Sequence, residues 1–167
     1  MTEQPKNNDD LFIDLIQTYE PGNIPPAIFE AIARITVYPA VEFIPLRMTG
    51  GSPQVLLFER PPDDIMWPAM LHTPGTVLRP TDKSLDDVLK RLYKDELDYI
   101  KIGKTIFLGP QLDINKRGRV LYLEYLLIIE SNPKTGKFYY VDNLPDNFIK
   151  EQMPSLNRAV KAFRDMK

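Results

Sequence analysis

The stretch that most constrains the fold is "SLDDVLKRLYKDELDYI", running from Ser84 to Ile100. Leu85, Val88, Leu89 and Leu92 recur at three- and four-residue spacing and so share one side of a helix, while Asp86, Lys90, Lys94 and Asp98 point the other way. Ser84, with Asp87 three residues on, makes a capping-box-like start in which Asp replaces the usual Glu. Such a helix needs an apolar surface to lie on, and strand-like runs on both sides provide one. "AVEFIPLRM" and "QVLLFER" precede it, joined through the turn signal "GGSP", and read as a hairpin. Pro45 demotes part of the first to an edge or bulge. "KTIFLGPQL" and "RVLYLEYLLIIES" follow, joined by "DINKRGR", and "GKFYYVDNL" is a further strand.

Helical segments flank these strands. "PPAIFEAIARITV" has prolines that pre-set its first turn, and Ile28, Ile32 and Ile35 fall on one face. "DLFIDLIQTYE" reads as a short helix or strand packed on the domain. The chain closes with helical material from Pro145 to Lys167, divided by Pro154. The order of helix, strands, helix, strands, helix predicts an α/β (α+β) fold, a mixed sheet with helices on its faces. A chain of 167 residues fits one domain with a proper core. The expected organisation is a flexible N-terminus over 1–10 and a single domain over 11–167, with an extra helical segment at its start.

Composition narrows the function classes. The net charge of −2 has both signs interspersed and gives no electrostatic footprint for nucleic acid. With no cysteine, disulfides and thiolate metal sites are excluded. The polar, acidic start "MTEQPKNNDD" is neither a signal nor a transit peptide. No apolar run reaches the ~18 residues of a membrane helix. The default is a soluble cytoplasmic protein. The proline-rich loop "PPDDIMWPAMLHTPG" is long for a compact domain, and such loops are often functional.

The chemistry concentrates where that loop meets the helix. Pro74-Gly75 makes a tight turn where backbone approaches another group closely, and "TVLR" after it reads as a short strand. Asp95 and Glu96, adjacent near the helix end, point ~100° apart, and one cation beside the helix is within reach of both. Hard oxygen ligands of this kind suit Mg²⁺ (or Mn²⁺), which bridges substrate phosphates and activates water. Arg91, one turn before Asp95, is placed to orient that carboxylate. The alternative for the acidic pair is a solvated helix face. Glu124 interrupts the apolar run "LYLEYLL", so it lies on an open face or is held by a partner. His72, the only histidine, precedes the glycine turn, as a phosphate or proton-transfer contact or as a structural group. Trp67 is a base-stacking platform or a packed loop anchor. Arg60 ends the hairpin strand, where it contacts substrate phosphate or merely flanks the loop.

The stretch from Gly75 to Asp98 resembles the signature of the Nudix hydrolases, a glycine loop followed by a helix ending in Arg-Glu-hydrophobic-any-Glu-Glu. Gly75 matches the first glycine, Arg91 the arginine, Tyr93 the hydrophobic position, and Asp95 and Glu96 the paired acids. "VLLFER" is similar to the strand before the box, and "VDNLPDNF" to the segment before the last helix. The resemblance covers roughly Pro39 to Phe163. Departures are Thr76 for the second glycine, a loop two residues longer, Lys83 (beside Asp82) at the early Glu, Leu92 for the Glu after the arginine, and Asp98 for the closing glycine.

The resemblance implies an α/β/α sandwich and Mg²⁺-dependent hydrolysis of a nucleoside-diphosphate-linked substrate. Asp95 and Glu96 would hold metal, with Glu96, Arg91 and Glu124 as the catalytic set and Glu124 or a loop acid as the base. Arg60, Trp67, His72 and Gly75 would bind substrate. A homodimer is one implied assembly. The alternative is a domain that kept the fold for nucleotide or protein binding, because leucine at position 92 can neither ligate metal nor take a proton.

Overall fold

The computed structural model describes residues 7–166. Most of the expected 1–10 flexible stretch lies outside those residues; from Asn8 the chain is helical. The first helix, α1 (Asn8–Gln17), starts at a reciprocal capping box between Asn7 and Asp10. It buries none of its residues fully, and Ile16 is half-buried. The second helix, α2 (Pro26–Ala33), buries Glu30 and Ala33. It ends before Ile35, which is 79% exposed. The Ile28–Ile32–Ile35 face is therefore not the docking face; the helix rests on Phe29 and Ala33 against Tyr38, Ala40 and Val120.

Strands β1 (Val37–Thr49) and β2 (Ser52–Glu59) form the expected hairpin, with Thr49 opposite Ser52. Gly50 and Gly51 turn it at φ of 58° and 84°, the pair of left-handed residues that a two-residue turn requires. Two short strands follow, β3 (Leu71–His72) on β2 and β4 (Gly75–Val77) on β1. Helix α3 (Leu85–Asp95) is capped by Ser84, whose Oγ accepts from the Asp87 N–H at 3.2 Å. Strands β5 (Ile102–Asn115) and β6 (Gly118–Ile129) make a second, longer hairpin, and the turn shrinks to Lys116-Arg117. A side chain at Gly118 would meet the Ala33 carbonyl at 2.3 Å, so glycine lets this turn press onto the end of α2. Strand β7 (Lys137–Tyr140) pairs with β2. After a 3-10 turn at Lys150–Gln152, α4 (Met153–Arg164) begins with Pro154 in its first turn, where its missing N–H costs nothing.

The seven strands form one mixed sheet in the order β3-β2-β1-β6-β5, with β4 on β1 and β7 on β2. Among the described strands, β1 and β6 are the pair that runs parallel. β1 is therefore an interior strand; of the edge or bulge expected at Pro45, the edge is not seen, and the proline falls at an interruption in the pairing. The proline is tolerated because β4 covers only Ala40–Glu42 and β2 only Leu46–Thr49 on that side. Phe43 donates to Pro74 there at 2.9 Å, and Pro45, two residues on, falls in the gap between partners.

Alternation sorts the side chains into two cores. Val41, Phe43, Leu56, Phe58 and Leu127 face α3 and bury Val88 and Leu92. Ile44, Leu46, Val55, Leu57 and Leu126 face α4 and bury Leu156, Ala159 and Phe163. Each such side chain contributes roughly 1.5–3 kcal/mol on burial. Glu42 and Glu124, two residues before Ile44 and Leu126, belong to the α4 face. Among the described residues, no helix is long and apolar enough to cross a membrane.

Candidate functional site

At the glycine loop, Gly75 lies opposite Glu42, and a side chain there would crowd the Val41 carbonyl at 3.1 Å. Arg91 reaches back to this loop. Its guanidinium donates to Thr76 Oγ1 at 2.7 Å, the Val77 carbonyl at 3.3 Å and Asp82 Oδ2 at 2.8 Å. It thus fastens the loop to the helix, and no bond runs to Asp95, which it was expected to orient. Asp82, beside Lys83, supplies the acid. Burial pushes Asp82 up, but bonds from the Arg79 N–H and Arg91 outweigh it and hold the carboxyl below its usual range. Asp98, where the box has glycine, adopts φ of 44°, the left-handed backbone that favours glycine.

Leu92 is 1% exposed and packs in the α3-side core. Asp95 is exposed, and Glu96, the C-cap of α3, is half-buried. Burial raises Glu96, the charge of Arg60 lowers it, and Asp95 raises it again. Among the described residues, no group of three or more His, Cys, Asp or Glu side chains is placed to hold a metal ion. Asp95 and Glu96, the latter beside the charge of Arg60, are two adjacent carboxylates, a set that would hold Mg²⁺ only together with substrate phosphates.

Glu124 does not join them. It is fully buried on the opposite face of the sheet, where Ser155 donates to Oε1 at 2.7 Å. Arg158 binds it from two nitrogens, Nε to Oε2 at 2.9 Å and Nη2 to Oε1 at 2.5 Å. Of the two sequence-level alternatives, it takes the held one. Its neighbour is Glu42, directly opposite in the parallel register and 1% exposed. Thr73 Oγ1 donates to Glu42 Oε1 at 2.5 Å, while Oε2 is buried without a hydrogen-bond partner among the described residues. Ser155 lies close by, but its one proton goes to Glu124. Burial pushes Glu42 up to about 7; the Thr73 bond opposes this, and nearby Glu124 adds to it.

Glu42 lines a pocket beside β1 that also gathers Arg60, Trp67, His72 and Gly75, the four residues read as substrate contacts. Tyr38, Thr73, Asn115, Arg117 and Tyr122 line it too; Asp95, Glu96 and Glu124 do not. Asp64 shapes its loop. It accepts from Arg60 at 2.8 and 2.6 Å and from the Met66 and Trp67 N–H groups at 3.0 and 2.8 Å. Trp67 is 6% exposed, with the Arg60 and Arg117 guanidinium carbons 5.7 and 5.4 Å from its ring centre. Stacking of a base on it therefore requires the loop to move. The His72 Nδ1–H donates to the Thr73 carbonyl at 2.8 Å, which leaves Nε2 as an acceptor. Burial depresses His72 to about 4, and the charge of Arg60 lowers it further. Arg117 is fixed by Glu30, with Nε 2.8 Å from both oxygens.

Sequence reasoning passed over Glu42, Thr73, Arg117, Asn115 and Tyr122. One signal was available: Glu42 interrupts "AVEFIPL" just as Glu124 interrupts "LYLEYLL". Arg117, Asn115 and Tyr122 come from the β5–β6 hairpin, which only the tertiary fold brings to the site, whereas Thr73 directly follows His72.

No family model and no curated protein matches the chain. Solved structures do. The NUDIX domain of Shewanella oneidensis NrtR, in complex with ADP ribose, is similar with a TM-score of 0.62 at 12% identity, over 90% of this chain and 97% of that one. A mutT/nudix family protein from Listeria innocua has a TM-score of 0.61 at 15% identity, over 78% and 97%. The C. elegans Ap4A hydrolase has a TM-score of 0.54 at 18% identity, over 77% and 99%. At these identities the likeness is one of architecture, and this chain has the Nudix fold.

Proposed function

We propose that this domain binds a nucleotide-type ligand in the pocket beside β1 and does not hydrolyse it. One observation carries the reading: Arg60, Trp67, His72 and Gly75 converge on one polar pocket, and the acids at the end of α3 line no part of it. Leu92 supports it, since the position where the family pattern has a glutamate is part of the apolar core. So does Glu124, whose carboxylate is engaged by Arg158 and Ser155 with the sheet between it and α3.

Magnesium-dependent diphosphate hydrolysis is the second reading. It is favoured by Arg60, whose charge acts on both Glu96 and the pocket residue His72. A phosphate between them would lie within reach of Glu96. The ADP ribose held by the similar NrtR domain makes that compound the first probe. Calorimetric titration of ADP-ribose, with and without Mg²⁺, is the test. The binding reading expects saturable heat that Mg²⁺ does not alter, unchanged in Glu96→Gln and lost in Arg117→Ala. Binding that needs Mg²⁺ and disappears in Glu96→Gln would move the site to the end of α3.

A further inference from the structure

We propose that two copies of this chain assemble by exchanging α1, each helix lying on the part of the partner's sheet that α3 leaves bare. This assembly is independent of the ligand reading above.

The bare region follows from alternation and register. Val41, Phe43, Tyr125 and Leu127 point toward α3, and alternation puts Val37 on β1 and Leu121 on β6 on the same side. Cross-strand pairing adds Ile114 opposite Arg119, Leu112 opposite Leu121, and Phe107 opposite Tyr125. The shift in pairing between Phe107 and Gly109 keeps Phe107 and Leu112 on one face despite their odd separation. Leu112 is 59% exposed and Ile114 65%, with Val37 and Phe107 about half exposed. A contiguous apolar face of this kind on a soluble chain marks an interaction surface.

The chain carries an element that matches it. Leu11, Phe12 and Leu15 share one face of α1 and are each about half exposed. Length agrees: a ten-residue helix spans about 15 Å, and the strand from Arg119 to Tyr125 about 20 Å. Charge agrees as well. Arg119 stands between Val37 and Ile114 in the sheet register, exposed and with no carboxylate partner among the described residues. The first turn of α1 carries Asp9 and Asp10, and the helix holds no basic residue. Laid along the strands with its N-terminus at Arg119, α1 brings these acids to that guanidinium and its apolar face to Leu112 and Leu121. Asp86 on α3 acts on Tyr125 at the other end, so the reverse direction sets like charges together.

A second copy is the occupant because the chain's own helix is tied elsewhere. α1 is joined through residues 18–25 to α2, which packs on Tyr38, Ala40 and Val120 on the opposite face of the sheet. In a two-fold pair each copy gives one helix and receives one, so the contact is made twice and the assembly closes. Stable interfaces bury about 1,200–2,000 Å², more than a single short helix supplies.

The test is sedimentation velocity of the full chain over a range of concentrations, for the wild type, Phe12→Glu, Leu112→Glu and an equal mixture of the two variants. We expect a wild-type dimer, weakened about a hundredfold in either variant because each substitution enters the interface twice. Both positions are exposed in the single chain, so far-UV circular dichroism should show the same fold. The mixture should associate more tightly than either variant alone, since a mixed pair keeps one intact contact. Arg119→Glu should weaken the dimer, and adding Asp9→Arg should restore part of the loss. A wild type that stays monomeric at about 0.1 mM overturns the assembly; if both variants then also melt lower, the face belongs to the chain's own α1. A dimer indifferent to both substitutions uses another surface and overturns it equally. A mixture no tighter than either variant contradicts reciprocal exchange.

Discussion

Two pairs of carboxylates in this domain invite comparison. Asp95 and Glu96 close α3, adjacent in sequence, the first exposed and the second half-buried. Glu42 and Glu124 are far apart in sequence, opposite each other on neighbouring strands, and buried under α4. The first pair matches a known signature but has few partners. The second matches none, yet it has a dedicated arginine, serine and threonine around it. Burial raises Glu96 as well as Glu42, so what separates the two pairs is the set of partners that the fold supplies around each.

Substitutions in the two regions test that contrast. The largest effect is expected for Leu92→Glu, which restores the signature but puts a carboxylate into the α3-side core. We expect a loss of about 4 kcal/mol in denaturant unfolding. A variant that folds normally and acquires Mg²⁺ binding would mean the apolar position is open to the site after all. Next is Arg158→Met, which leaves Glu124 buried without its cation and should cost about 3 kcal/mol. Adding Glu124→Gln should recover most of that loss. No recovery would mean that Arg158 acts through packing rather than through the pair.

Burial of Glu42 and His72 also predicts a pH signature. The folded state raises Glu42 from 4.5 to about 7, so its contribution is complete below 4.5 and is lost as pH rises to about 7. His72 is lowered from 6.5 to about 4, so its contribution is present above 6.5 and is lost as pH falls to about 4. Between these limits the two slopes oppose each other, each amounting to about 1.4 kcal/mol per pH unit at most. The wild type should therefore be nearly flat in stability across that window. Glu42→Gln should become more stable as pH rises, and His72→Gln less stable. Parallel pH profiles for all three proteins would remove the assigned shifts.

Smaller effects belong to the helix end. Asp82→Asn weakens the tie from Arg91 to the loop and should cost about 1 kcal/mol, read as a modest fall in melting temperature. Glu96→Gln should change stability by less than about 0.5 kcal/mol. A large loss there would show that Glu96 has a partner the fold depends on.

Much of the architecture was legible in the chain because periodicity reports burial directly. The α3 stripe, the Gly50-Gly51 hairpin and the mixed sheet all follow from it. The errors have local causes. The Ile28–Ile32–Ile35 spacing is helical, but α2 stops at Ala33, where the hairpin turn at Gly118 presses against it. Pro45 reads as an edge signal, yet an interior strand tolerates it in a gap between two partners. The site was less legible. Arg60, Trp67, His72 and Gly75 lie close together in one loop and could be read together. Glu42, Arg117 and Tyr122 join them through strand pairing and a turn, which no local pattern encodes. Glu124 was singled out from its apolar surroundings, but whether such a residue faces α3 or α4 depends on sheet register.

The central claim is that the pocket binds and the α3 acids do not cleave. The most direct measurement is ³¹P NMR of ADP-ribose mixed with the protein in the presence of Mg²⁺ and then of Mn²⁺, followed over time. The binding account predicts shifted or broadened diphosphate resonances that persist, with no monophosphate signals appearing. Growth of monophosphate signals in the wild type, and their absence in Glu96→Gln, would contradict it.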